Sequence, residues 1–172
     1  MFGDFGIDDI IALLFLLFSK EVEIIGIVAD YGNVERSKVL RNLNYIKYLG
    51  NLNIPIFAGA ETALTGIEPI YYPEVHGPGL GSIIPQIPEG IDMPIYEIED
   101  LKPYIRNLNY DITIVTLGRL SSLAALSIIH LQTLQRFPEI IVMGGVFFKP
   151  GNVTALAEAN FYSDPYAANL VV

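Results

Sequence analysis

Three carboxylates fall within six residues near the start of this 172-residue chain: Asp4, Asp8 and Asp9, in the run GDFGIDD. Glycines on either side of Asp4 let the backbone turn tightly. If Asp8 and Asp9 begin a helix, Asp4 lies on the loop feeding it. Asp4 and Asp9 can then point at one spot and bind a hard divalent cation through oxygen. An acidic helix N-terminus accounts for the same residues without a ligand and stabilises by about 0.3–1 kcal/mol per charge. A second group lies in GNVTALAEAN, where Asn152, Glu158 and Asn160 are hydrogen-bonding groups suited to sugar hydroxyls, or else the dressing of an ordinary polar loop. Asn33, in YGN after an apolar segment, reads equally as a pocket residue or a helix cap. His76 lies in EVHGPGLG and is either surface decoration or part of a site. His130 has no partner motif and reads as structural.

The elements that must position these residues alternate between helix and strand. Ile10 to Phe18 (IIALLFLLF) is a nine-residue apolar run, well short of the roughly 20 needed to span a bilayer, and reads as a buried helix. Val22 to Val28 reads as a buried strand. Asn33 to Leu49 reads as an amphipathic helix, with Val39, Leu43 and Ile46 inward, Arg36, Arg41 and Lys47 solvated, and Gly50 as C-cap. Ile54 to Ala58 reads as a strand. Gly59 to Pro94 is a long Gly- and Pro-rich connection of the kind that often carries function. A helix from Tyr96 to Leu108, a strand from Asp111 to Leu117, a helix from Leu120 to Gln135 and a strand from Glu139 to Met143 follow. Asp164 then caps a last helix. This alternation predicts an α/β fold, an open and mainly parallel sheet with helices on both faces. Loops that follow strands in such folds gather at the carboxyl edge, where ligands bind.

Composition narrows the function. Ten Lys and Arg against 19 Asp and Glu leave a net charge of −9, which repels a nucleic-acid backbone. Apolar residues make up 52% and charged residues 17%, which argues for a packed core rather than disorder. Cysteine is absent, so disulfides, thiolate metal sites and a Cys nucleophile are excluded, and a reducing compartment fits. The start of the chain has no secretory pattern. Together these features lead to the expectation of a cytoplasmic protein with no membrane partner.

In combination the motifs resemble the inosine-uridine preferring nucleoside hydrolase family: DxGxDD near the start, then YGN, VHG, MGGVFFKPGNVT and EAN, in that order. The resemblance runs from Gly3 to Asp164. It implies a Rossmann-like core, a Ca2+ ion, and hydrolysis of the N-glycosidic bond of ribonucleosides to free base and ribose. By its pattern, Asp4 is a metal ligand and the base that activates water. Asp9 binds the metal, Asp8 grips a ribose hydroxyl, and Leu117 offers its main-chain carbonyl to the metal. Asn152, Glu158 and Asn160 match ribose-binding positions, and Asn33 and His76 match positions lining the same pocket. The chemistry is coherent, because breaking a ribosyl C–N bond builds positive charge on the sugar that carboxylates stabilise.

This chain also departs from the family pattern. Phe2 stands where the motif has its first Asp and Phe5 where it has Pro. Arg119, Ser121 and Ser122 replace a Pro-Thr-Asn pattern, and the loop after His76 is one residue shorter. The reading is therefore a single partial domain over residues 1–172. The first strand, the last metal-binding Asp and a His near the leaving base are expected to be missing. Weak calcium binding, negligible turnover, and association into a homo-oligomer or aggregate are the consequences. The alternative is an inactive remnant that binds ribose weakly or only assembles. A haloacid-dehalogenase-type phosphatase fits less well, because no second Asp lies two residues after Asp4.

Overall fold

The computed structural model describes residues 1–108, 111–130 and 137–172. Six parallel strands form one sheet in the order β4-β3-β2-β1-β5-β6: β1 Phe2–Gly3, β2 Ile27–Ala29, β3 Ile56–Ala58, β4 Ile95–Glu97, β5 Thr113–Thr116 and β6 Glu139–Val142. The helices are α1 Ile7–Leu17, α2 Arg36–Gly50, α3 Pro73–His76, α4 Leu101–Arg106, α5 Ser121–Ile129, α6 Ala159–Ser163 and α7 Pro165–Val171. The α/β class with a parallel sheet is as the alternation predicted.

The expected absence of a first strand is corrected. Phe2 and Gly3 form a two-residue strand at the centre of the sheet, with Phe2 opposite both Val28 and Thr116, and Gly3 opposite Ala29. Two residues have no readable side-chain period. They pair because backbone groups on both neighbouring strands need partners. The Met1 nitrogen donates to the Gly26 carbonyl at 2.9 Å. Even so short a strand determines where the next residue stands: Asp4 emerges at the carboxyl end of the central strand.

Alternation along β2 divides the core. Ile27 and Ala29 face one side with Phe5, Ile10 and Leu13 of the α1 region and Val39 and Leu43 of α2. Val28 faces the other side with Phe2, Phe57, Leu101, Leu123 and Leu126. Of the inward positions predicted for α2, Val39 and Leu43 are buried and Ile46 is partly buried, while Asn42 and Asn44 are buried beside them. Several boundaries differ. Helix α1 starts at Ile7, so Asp8 and Asp9 lie inside its first turn rather than before it. Gly50 remains helical, and Asn51, at φ 46°, makes the left-handed cap. Tyr96 belongs to β4, not to a helix. The helix begins only after a capping box between Glu97 and Asp100. The last residues of the helix predicted to Gln135 lie outside the described residues.

Apolar surface remains uncovered in two places. On α1 and its C-cap, Ile11, Phe15 and Phe18 project outward at helical spacing. Beyond the β6 edge, Phe147, Phe148 and Leu156 are exposed, Phe148 completely. Edge strands and patches of this kind recruit other chains. The purified chain is therefore expected to run larger than a monomer in sedimentation velocity. Phe147→Lys with Phe148→Lys should shift it towards the monomer mass, and a native chain that stays monomeric at high concentration would refute this. Among the described residues no helix is long and apolar enough to cross a membrane.

Candidate functional site

Asp4 is buried at the carboxyl end of β1. Its Oδ2 accepts the Asn33 main-chain N–H at 2.5 Å and lies 3.4 Å from Arg119 Nη1. Two glycines make room for it. A Cβ on Gly32 would lie 1.8 Å from Asp4 Oδ2, and one on Gly118 would lie 2.7 Å from Oδ1. Only bare backbone fits at either place. The carboxylate is thus gripped between the loop after β2 and the loop after β5.

Asp9 reaches the same spot from the first turn of α1 and is also buried. Burial raises its pKa to about 8, and the Asp4 charge, a hydrogen bond with the Asp4 carboxyl and the Asp8 charge push the same way. Its Oδ2 has no hydrogen-bond partner among the described residues. Asp8, by contrast, is exposed on the outer side of the turn.

Leu117 follows β5. Its N–H donates to the Phe2 carbonyl at 2.9 Å, and its own carbonyl accepts Asn160 Nδ2 at 2.9 Å. Asn160 Nδ2 also reaches the Met143 carbonyl at 3.0 Å. Asn160 therefore sits across the ends of β5 and β6, on the edge where Asp4 lies. Glu158 is the cap of α6: its carboxylate accepts the N–H groups of Gly145, Asn160 and Phe161. Asn152 accepts the Ala159 N–H at 3.1 Å and remains exposed. His76 is buried at the end of α3, with its Nδ1 unpartnered among the described residues. That atom lies 2.6 Å from where a Cβ on Gly6 would stand, so the ring rests on the bare backbone of the GDFGIDD loop. Asn42 ties that loop down by donating to the carbonyls of Phe5 and Gly79, both at 3.0 Å.

Asp4, Asp9, Asn33, His76, Leu117 and Asn160 are thus drawn to one edge. Asp8 is turned to solvent, and Glu158 and Asn152 hold main chain one step behind Asn160. Asp4, Asp9 and the Leu117 carbonyl are the oxygen donors that could serve a hard cation on this edge, and Asp9 Oδ2 is the orphaned buried one among them. Among the described residues no group of three His, Asp or Glu side chains gathers to hold a metal.

Sequence reasoning missed the buried polar network behind Asp4. Asp30, closing the apolar run IVAD, is fully buried and accepts the Ala60 N–H at 2.9 Å and the Ser122 hydroxyl. Burial dominates, and its pKa rises from 3.8 to about 7. The unfolded chain loses the Asp30 proton first, so stability falls as pH rises from about 4 towards 7, by at most roughly 1.4 kcal/mol per unit. Asp9 contributes in the same direction up to about 8. Asp30→Asn should flatten this slope in urea denaturation series between pH 4 and 8. An unchanged slope would show that Asp30 ionises freely. A charged residue ending an apolar strand was the available signal.

Comparison with known proteins decides what this edge belongs to. The profile of the inosine-uridine preferring nucleoside hydrolases matches residues 1–172. The chain belongs to that family. Uridine nucleosidase 1 of Arabidopsis thaliana is 34% identical over 170 residues, covering 98% of this chain and 51% of that protein. The pyrimidine-specific ribonucleoside hydrolase RihA of Salmonella typhimurium is 36% identical, covering 98% and 54%. Among solved structures, the purine-preferring ribonucleoside hydrolase from Gardnerella vaginalis superposes with a TM-score of 0.88 at 27% identity, over 99% of this chain and 56% of that one. A plant nucleoside hydrolase gives 0.86 at 34% identity, over 99% and 55%. The chain therefore spans about half the length of the curated relatives it matches.

Proposed function

We propose that this chain carries the cation- and ribose-binding side of a ribonucleoside hydrolase centre, and that its reaction is attack of water on the N-glycosidic bond. The observation that carries the reading is the buried Asp4–Asp9 pair, held at the carboxyl end of the central strand with the Leu117 carbonyl on the same edge. A calcium ion held by Asp4, Asp9 and that carbonyl would supply acidification of a water and an anchor for the ribose diol. Asp4 takes the proton of the attacking water. Its negative charge, in a site that excludes solvent, stabilises the positive sugar as the C–N bond breaks. Asn160 faces the ribose, Asn33 and His76 wall the pocket, Asp8 meets a ribose hydroxyl only from the solvent side of its turn, and Asn152 and Glu158 serve the ribose side by holding the main chain that carries Asn160. The protein works as a homo-oligomer in the cytoplasm on ribonucleosides.

A second reading, ribose binding without turnover, is favoured by the absence of a leaving-base acid on this edge among the described residues: His130 pairs with Lys102, 2.9 Å away, and His76 is buried on Gly6. General-acid help is worth about 10²–10⁴-fold, so release should be slow. The names of the relatives cover both uridine and purine nucleosides, so ribose release from uridine and inosine is the test, with calcium and then with chelator. Slow, calcium-dependent release supports hydrolysis. Calcium-dependent nucleoside binding with no release supports the second reading, and a chain that neither binds nor cleaves nucleosides overturns both.

A further inference from the structure

Arg119 is an arginine that solvent barely reaches. It is 2% exposed, with Nη1 3.4 Å from Asp4 Oδ2 and Cζ 5.2 Å from the centre of the Tyr31 ring. Its Nε has no partner among the described residues. Tyr31 is itself fixed. Its hydroxyl lies 3.2 Å from Ser121 Oγ, which donates to Asp164 Oδ2 at 2.6 Å, and Asp164 also accepts the Leu64 N–H at 2.9 Å and caps α7. The guanidinium is stacked, paired and walled in, so it cannot swing out to water when another cation arrives. A fixed positive charge at this distance, in a poorly screened interior, repels any cation that shares the Asp4 carboxylate.

We propose that Arg119 is a built-in counter-ion of Asp4 that competes with a divalent cation for the Asp4–Asp9 pair, so that this chain holds such an ion weakly by construction. The proposal rests on the reading of Asp4 and Asp9 as a cation site. The guanidinium neutralises one carboxylate without bringing an exchangeable water or an open coordination position, which a divalent ion would bring. It keeps the buried carboxylates compatible with folding in the absence of metal, and sets a threshold of calcium concentration for loading. The Tyr31–Ser121–Asp164 chain fixes the position of this charge against Leu64 and the start of α7, so the threshold depends on side chains that touch neither carboxylate.

The test is calorimetric titration of calcium into the full chain and its Arg119 variants. Arg119→Met and Arg119→Gln, which remove the charge, should bind calcium at least about tenfold more tightly than the native chain, while Arg119→Lys, which keeps it, should stay within about threefold of native. A purely structural role would weaken binding in all three. Equal affinities in native, Met and Gln variants overturn the proposal and leave the cation site standing. Absence of calcium binding in every form, at any concentration, overturns the proposal together with the cation site. Should the neutral variants fail to fold, the native chain still decides. The Arg119 Nε–H resonance, assigned by its disappearance in Arg119→Lys, should shift on calcium saturation, and an unmoved resonance in a calcium-loaded chain overturns the proposal.

Discussion

Asp4→Ala is expected to bring calcium-dependent ribose release down to the background rate and to weaken calcium binding by at least about 100-fold. Asp4 serves the proposed chemistry twice, as oxygen donor to the cation and as acceptor of the water's proton, and both roles end with the carboxylate. The substitution also has a structural cost. Arg119 would keep its buried charge and lose its only ion-pair partner among the described residues, an arrangement that typically destabilises by about 3–5 kcal/mol. Asp4→Asn separates the two effects. The amide oxygen can still accept the Asn33 N–H, so the loop should hold its shape while the base and the charge are gone. Loss of release in a folded Asp4→Asn protein, judged by an unchanged circular dichroism spectrum, assigns the loss to chemistry. Release that survives in Asp4→Asn would remove Asp4 from the reaction.

Gly32→Ala should be nearly as damaging to the site, although it removes no functional group. The added methyl would stand 1.8 Å from Asp4 Oδ2 and 2.1 Å from Asp4 Cβ. Asp4 is short, buried and pinned by Asn33 and Arg119, so it has no free end to swing aside. Backbone must move instead, either in the loop after β2 or at β1. Overpacking of this kind costs about 1–3 kcal/mol in stability. A displacement of about 1 Å at the carboxylate costs on the order of 100-fold in rate. Denaturation midpoints and ribose release measured on the same preparation would check both numbers. Gly66→Ala is the control, because a Cβ there meets nothing within 4 Å, although the positive φ of 69° adds some backbone strain. A Gly32→Ala protein with native calcium affinity and native release would mean that Asp4 is not held as described.

Much of this architecture is legible in the chain because it is local. Val39 and Leu43 mark the inner face of α2 by spacing alone, and the apolar run Val22 to Val28 marks a buried strand, although only its last two residues, Ile27 and Val28, join β2. The aspartates of GDFGIDD stand out because all three lie within two turns of chain. Where contacts span long separations the sequence is silent. Arg119 meets Asp4 across 115 positions and Tyr31 meets Ser121 across 90, so neither pair leaves a local pattern. Arg119, Ser121 and Ser122 are visible in the sequence only as departures from a family pattern. Their partners Asp30 and Tyr31 show why charged and hydroxyl side chains are tolerated there. Strand β1 escapes a sequence reading for a different reason. Periodicity needs several residues, and two residues between two strands are held by backbone pairing alone. Tyr96 misleads because an apolar stretch rich in Glu and Asp fits both a strand end and a helix start, and the capping box at Glu97 and Asp100 decides between them.

The measurement that bears most directly on the central claim is calcium titration of the native chain and of Asp9→Asn, each with and without ribose. Asp9 is the clearest probe, because its orphaned buried oxygen is the feature that asks for a cation. The account predicts weak, one-site calcium binding by the native chain, tightened by ribose because the diol completes the oxygen shell, and lost in Asp9→Asn. Native-like calcium binding in Asp9→Asn, or calcium binding that ribose leaves unchanged, would contradict it.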